Sequence, residues 1–278
     1  MQELEVARSA ALLAGDILRR HQRSDRSAVA KPDGSPLTQA DTEANEAILA
    51  SLRRAFPNDA ILSEESADDG TRSQRSRVWL VDPLDGTRDF VAGSPEFAVH
   101  IALTVQGRPT VAVVYQPATD GLFEAVAGEG AFVVKGATRR RLSVSKHDEL
   151  IGLRLGVSRY TPGPALQRLL SEAPFGLDAV PMGASTKLLA VAQGLLDACL
   201  TLHDGEHEWD SCAPGLVVTE AGGRITDVAG TPLRYNQADV RHRRGVVVSN
   251  RQCHDPLCRL AARYWPLDDA IGPSIRTD

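Results

Sequence analysis

The chain has 278 residues, of which 42% are hydrophobic and 24% charged, a balance that excludes intrinsic disorder and allows one large core or two packed lobes. Its formal charge of −5 excludes a sequence-independent grip on nucleic acid or an anionic membrane surface. No run of about 18 apolar residues marks a spanning helix, and charges interrupt MQELEVARSAALLAGDILRRHQ where a signal peptide would be apolar, so the expected location is the cytoplasm.

Leu4, Ala7, Ala11, Leu12, Ile17 and Leu18 recur at helical spacing and predict an amphipathic helix over the first 22 residues. A polar loop follows, with turn signals at Asp33-Gly34 and Ser35-Pro36. From Thr38, the positions Ala44, Ala47, Ile48, Leu52 and Phe56 describe a second helix, which Pro57 stops. The pattern then changes to strands at 60–62, 78–81, 97–106, 110–115, 122–126, 131–134 and 141–144. Two helices followed by a strand meander describe an α+β half rather than a βαβ repeat.

Beyond this point strands and helices alternate: strand 153–158, a helix near 164–172, a strand near Val180, helix 185–193, strand 196–202, helix 211–221, and strands 224–228 and 245–249. The division falls between 136 and 150, giving an N-terminal lobe 1–140 and a C-terminal lobe 141–278 that act as one unit. Cys199, Cys212, Cys253 and Cys258 form no C-x-x-C pair, so reduced thiols are expected. The spacing of Cys253, His254 and Cys258 matches no standard zinc site.

The stretch WLVDPLDGTRDF, residues 79–90, sets two aspartates around Pro-Leu after an apolar strand. Asp disfavours strands and favours turns and caps, so Asp82 and Asp85 are expected where the strand ends, with Asp85 able to cap a short helix. Gly86 lets the backbone approach a ligand, and helix-start amides suit a phosphate. Two carboxylates beside a phosphate need cations between them, and Mg²⁺ takes such oxygen ligands. The alternative is a capped turn without chemistry. Two further acidic ends, Glu64-Glu65 after a strand and Glu208-Trp209-Asp210 before a helix, supply material for a two- or three-metal site, with Asp210 otherwise an N-cap. Asp41 falls in the first turn of the second helix, where an acid also suits the dipole.

The set L-S-E-E at 62–65, D-P-L-D-G-T at 82–87 and W-D-S-C-A at 209–213 resembles the lithium-sensitive, magnesium-dependent phosphatase superfamily of inositol monophosphatase, fructose-1,6-bisphosphatase and bisphosphate nucleotidase. The resemblance runs from the first helix to about Asn250. Within the superfamily the chain is most similar to the CysQ-type 3'(2'),5'-bisphosphate nucleotidases, on Arg88 after Gly-Thr, E-F-A-V-H-I-A-L at 96–103, V-A-V-V-Y-Q-P at 111–117 and P-L-R-Y at 232–235. Inositol monophosphatases usually carry a polar neutral residue after Gly-Thr, and a sugar-contacting glutamate where this chain has His203.

The resemblance implies a layered αβαβα sandwich of the α+β class. It implies that Glu64, Asp82 and the Leu84 carbonyl hold one Mg²⁺, that Asp82, Asp85 and Asp210 hold a second, and that a weaker third ion rests on Glu64 with waters bonded to Asp41. Thr87, oriented by Asp41, would align the attacking water, and the amides of Gly86 and Thr87 would take phosphate oxygens. G-A-S-T-K at 183–187 resembles a G-x-S-x-K stretch near the nucleotide, which places Ser185 and Lys187 at the substrate; a solvated Lys187 is the alternative. The implied activity is removal of the 3'-phosphate from adenosine 3',5'-bisphosphate, with 3'-phosphoadenylyl sulfate as a further substrate, in the housekeeping of sulfur assimilation. The alternatives are an inositol-1-phosphate or fructose-1,6-bisphosphate phosphatase, and a nucleotide sensor without turnover. The expected partner is a small phosphorylated nucleotide, and both homodimers and monomers occur in the superfamily. Tyr235 either stacks on adenine or belongs to the core, Arg139 to Arg141 read as a solvated turn, and Glu65 and Glu208 have no assigned role.

Overall fold

The computed structural model describes residues 1–265, except 25, 33, 161, 174, 175, 184 and 185. Its first helix, α1 (Gln2–Ser24), is followed by a small hairpin of β1 (Ala28–Ala30) and β2 (Pro36–Thr38), then by α2 (Gln39–Ala55). β3 (Ala60–Ser63) and β4 (Arg77–Asp85) pair in parallel. After the short α3 (Thr87–Val91), β5 (Ala98–Val105), β6 (Arg108–Gln116), β7 (Gly121–Val126), β8 (Gly130–Lys135) and β9 (Thr138–Arg141) extend an antiparallel meander. Together β3 to β9 make a seven-stranded sheet in sequential order.

The second sheet takes β10 (Arg154–Ser158), β11 (Asp178–Met182), β12 (Ala198–Thr201), β13 (Arg224–Thr226) and β14 (Val246–Ser249), in the order β11-β10-β12-β14-β13. Between these strands run α4 (Gly163–Glu172), α5 (Thr186–Ala192) and α6 (Glu208–Glu220), and α7 (His254–Ala261) follows them. Among the described residues no helix is long and apolar enough to cross a membrane.

Strand periodicity sets the layers, because successive side chains point to opposite faces. From β4, Trp79 and Val81 pack with Ala7, Ala14, Leu18, Ile48 and Leu52 of α1 and α2, while Val78 and Leu80 pack with Leu188, Cys212 and Leu216 of α5 and α6. Val246 and Val248 of the second sheet join the latter cluster, whereas Val247 faces Leu166 of α4 and Leu257 of α7. The stack is therefore α1α2, sheet, α5α6, sheet, α4α7, the αβαβα sandwich expected. α1 lies close on the first sheet because Gly15 has no side chain: a Cβ there would stand 2.2 Å from the Tyr115 ring.

The structure departs from the expected elements at several points. The 141–144 strand lies earlier, at β9, because Leu142 N still bonds Ala131 O at 2.8 Å while Val144 N bonds Ala221 O at 3.1 Å, turning the chain out of the sheet. Arg139 to Arg141 therefore form an edge strand rather than a turn, with Arg139 stacked 3.4 Å over Phe132 and paired to Glu124. The β1–β2 hairpin and α7 were not anticipated by hydrophobic pattern, being short and, for β1, exposed. Tyr235 is core, with its ring edge-on to His242.

Candidate active site

The acidic residues converge at one end of the first sheet. Glu64 leaves β3 with its amide bonded to Val81 O at 3.1 Å, which sets it beside Asp82. β4 does not stop at Asp82. Asp82 pairs with His100 across the sheet and Asp85 with Ala98, and the register shifts between them. This bulge holds Pro83 and Leu84, and Asp82 Oδ1 accepts the Leu84 amide at 3.0 Å. A bulge re-aims side chains without ending the strand. It is followed by Gly86, at φ +85°, a backbone angle that residues with a Cβ disfavour. Asp85 accordingly does not cap α3; the cap position is Gly86, which offers no side chain.

Asp41 closes a capping box on α2: its Oδ2 accepts the Thr38 amide at 2.8 Å and the Thr38 hydroxyl at 2.5 Å. Its other oxygen, Oδ1, lies 3.3 Å from Thr87 Oγ1, which also stands 3.1 Å from the Leu84 carbonyl. On the far side α6 begins at Glu208, three positions earlier than the apolar pattern predicts, because His207 is the cap residue. Asp210 is thus not the N-cap but the third helical residue, and its Oδ2 accepts the His207 amide at 2.7 Å.

Burial leaves these carboxylates poorly solvated. The Asp82 pKa is raised well above the usual carboxylate range, by burial first and then by Glu64, Asp85 and Asp210. Burial also pushes Asp210 up to about 7, with Glu206, Glu64 and Asp85 adding to it. Burial raises Asp41 as well. Lys31, in the turn after β1, donates to Glu64 at 2.7 Å and also to Glu65, and these two acids hold its pKa up against the effect of burial. Crowded, desolvated oxygens of this kind fit a hard divalent cation. Asp82, Asp85 and His100 present ligand atoms all within 4.8 Å of one another.

Of the residues expected at the site, Asp41, Glu64, Asp82, Leu84, Asp85, Gly86, Thr87 and Asp210 fall in this one region. Lys187 does not sit at a solvated helix start. It is buried in α5, with its Cβ 3.1 Å from where a Cβ on Gly156 would stand, so it packs on β10. Ser185 lies outside the described residues. His203 turns inward on its own loop, accepting the Gly205 amide at 3.0 Å.

Two residues, His100 and Glu206, join the site unannounced, and Glu208, which had no role assigned from the sequence, gains a structural one. His100, buried, stands 3.7 Å from Asp85 and 3.4 Å from the Trp209 carbonyl, and burial lowers its pKa despite Asp85. The single imidazole in the apolar run 97–103 was its only signal. Glu206, buried, bonds the Thr201 hydroxyl and adds negative charge near Asp210. Glu208 accepts the amides of Asn236 and Gln237 at 2.6 and 2.8 Å, anchoring that loop to the start of α6. Arg72 reaches the same loop through Asn236 Oδ1 at 2.8 Å.

The model of the inositol monophosphatase family matches residues 1–265. A relative from Mycobacterium leprae, named 3'-phosphoadenosine 5'-phosphate phosphatase, is 41% identical over 201 residues, covering 72% of each chain. The structure of CysQ from Bacteroides thetaiotaomicron is 30% identical, with a TM-score of 0.78 over 90% of this chain and 98% of that one. The inositol monophosphatase of Thermotoga maritima, at 24% identity, shares the fold with a TM-score of 0.82 over 95% of this chain and 98% of that one.

Proposed function

We propose, from the premise that this chain belongs to the inositol monophosphatase family and is a phosphatase of that superfamily, that it is a magnesium-dependent 3'(2'),5'-bisphosphate nucleotidase. Its substrate is adenosine 3',5'-bisphosphate, and its product AMP. The observation that carries the reading is the Asp41–Thr87 contact at 3.3 Å beside the buried carboxylate of Asp82 and the half-buried one of Asp210. The nucleotide is supported by the relative named for it and by Arg88 following Thr87.

Glu64, Asp82, the Leu84 carbonyl, Asp85 and Asp210 would hold two Mg²⁺ ions, with a third on Glu64. When bound, such ions supply Lewis-acid neutralisation of phosphoryl charge and a lowered pKa for water. The chain's own part is orientation. Thr87 has one hydroxyl proton and two acceptors in reach, Leu84 O and Asp41 Oδ1. When that proton points to Asp41, the hydroxyl oxygen is left to accept from a water and aim it at phosphorus. His100 stands 3.7 Å from Asp85 and borders the carboxylate set. The amides of Gly86 and Thr87 receive the phosphate oxygens.

The test is phosphate release with Mg²⁺ from adenosine 3',5'-bisphosphate, inositol-1-phosphate and fructose-1,6-bisphosphate in parallel, with Asp85→Asn as the inactive baseline. Preference for the nucleotide is expected. Preference for a sugar or inositol phosphate would replace the substrate and keep the reaction class. Release no faster than the Asp85→Asn baseline would make the chain a binding protein without turnover.

A further inference from the structure

A cavity of about 500 Å³ lies between the C-terminal end of α1, the segment after α3 and the turn between β6 and β7, and Arg19, Gln22, Arg23 and Arg26 line one side of it. Arg19, Gln22 and Arg23 share a face of α1 because they stand at i, i+3 and i+4, and Arg26 follows just past the last helical residue, Ser24. Among the described residues, no acid lines this space, and neither does any residue gathered at the acidic end of the first sheet.

Two of the four polar side chains build the wall, and two are free to act. Arg19 is committed: its Nη1 donates to the Tyr115 hydroxyl and, at 3.2 Å, to the Pro117 carbonyl, while its Nη2 pairs with Asp16. Gln22 donates to the Ser94 carbonyl at 3.3 Å and ties α1 to the segment after α3. Arg23 and Arg26, both exposed, have no ion pair or hydrogen bond with a described residue. Arg26 is nevertheless placed. Its Nη1 lies 2.1 Å from where a Cβ on Gly93 would stand, and Gly93 has a φ of +76°, so glycine both permits the turn and leaves room for the guanidinium. A basic residue in a last helical turn suits the dipole, which accounts for Arg23. It does not account for Arg26, which lies beyond the helix and is brought against Gly93 by the packing of distant segments. Guanidinium groups without a carboxylate partner match an anion, and their forked donors suit phosphate. Pro95, Pro117 and Ala118 complete the walls with apolar surface and no side-chain donor.

We infer that this cavity is a second anion site, apart from the acidic cluster, which takes a small organic phosphate through Arg23 and Arg26. The apolar part of the ligand lies on Pro95, Pro117 and Ala118, and the space is of the size that holds a small organic molecule rather than a bare ion. The two sites work by opposite means: the acidic end needs cations before it can accept a phosphate, whereas the arginines need none. The inference does not depend on the nucleotidase reading.

The test is calorimetric titration of the full chain with phenylphosphonate, whose C–P bond a phosphomonoesterase does not cleave, in Mg²⁺ and at about 0.15 M ionic strength. Asp85→Asn, which impairs the acidic site, should keep a binding event. Adding Arg23→Ala and Arg26→Ala to that variant should raise its Kd about tenfold or more, since two charge-assisted contacts are lost. Neither arginine has a partner to lose, so the fold is kept. A control removes equal charge elsewhere: Arg53 and Arg54 lie in the last turn of α2, at the opposite end of that helix from Glu43, which meets Arg20 of α1. Arg53→Ala with Arg54→Ala should change Kd by less than about twofold, because exposed charges that far from the ligand are screened. Absence of binding to Asp85→Asn would overturn the inference, as would an affinity indifferent to Arg23 and Arg26. Equal weakening by both arginine pairs would overturn it too, leaving only the general attraction of charge.

Discussion

Asp41 divides its two carboxylate oxygens between two partners: Oδ2 closes the cap of α2 through Thr38, and Oδ1 lies 3.3 Å from the Thr87 hydroxyl. A fold-holding contact and a chemistry-bearing one thus share a single side chain. Thr38→Ala should remove part of the cap, costing about 1 kcal/mol of stability, while leaving Oδ1 on Thr87. Asp41→Asn should lower kcat by about a hundredfold or more, the scale of a lost general-base or water-orienting group. Thermal melts and turnover measured on both variants separate the two contacts. Equal losses of activity would mean that the cap alone positions Thr87.

Asp210 stabilises the start of α6 by accepting the His207 amide at 2.7 Å, yet burial and neighbouring carboxylates raise its pKa to about 7. Removing it relieves repulsion and loses a cap, two effects of opposite sign, each on the order of 1 kcal/mol. Without metal, Asp210→Ala should therefore melt within a few degrees of the wild type. Added Mg²⁺ should raise the wild-type melting temperature and raise that of the variant by less than half as much, because a ligand stabilises only the state that binds it. A variant unfolded at room temperature would show that the cap dominates.

His254 is buried between Ser249 and Thr226, with Nδ1 2.8 Å from Ser249 Oγ and Nε2 2.8 Å from Thr226 Oγ1. Burial lowers its pKa to about 4. Thr226 gives its proton to the Asp227 carbonyl at 2.7 Å, so it accepts from Nε2–H, and Nδ1 accepts from Ser249. Folding holds this histidine neutral, whereas the unfolded chain protonates it below about 6.5. Its stabilising contribution is complete above that value and is lost as the pH falls toward 4. Between these limits the wild type should lose up to about 1.4 kcal/mol per pH unit more than His254→Asn. Denaturant unfolding of both proteins across this range checks it, and parallel pH profiles would show that the site does not titrate as derived.

The helices α1 and α2 and most strands of the first sheet were legible because their apolar residues repeat at 3.6 or 2, and burial on one face enforces that period. The D-P-L-D-G-T and W-D segments were legible because proline, glycine and adjacent acids have local conformational consequences that need no partner. The bulge at Pro83-Leu84 was not, since it exists only in the register of β4 against β5. The pairing of Asp82 with His100, residues 18 positions apart in the chain, is equally a property of that register.

By itself the sequence determined which segments form the layers and which acids stand at their ends, because these depend on periodicity and local backbone preference. Only the tertiary structure decided what those acids meet: that α6 starts early enough to make Asp210 its third residue, that Lys31 comes back onto Glu64, and that Lys187 is buried while Arg88 and Tyr160 open into a cavity. These are contacts between distant segments, set by how layers pack and by which polar groups must be satisfied once buried, and no local pattern carries that information.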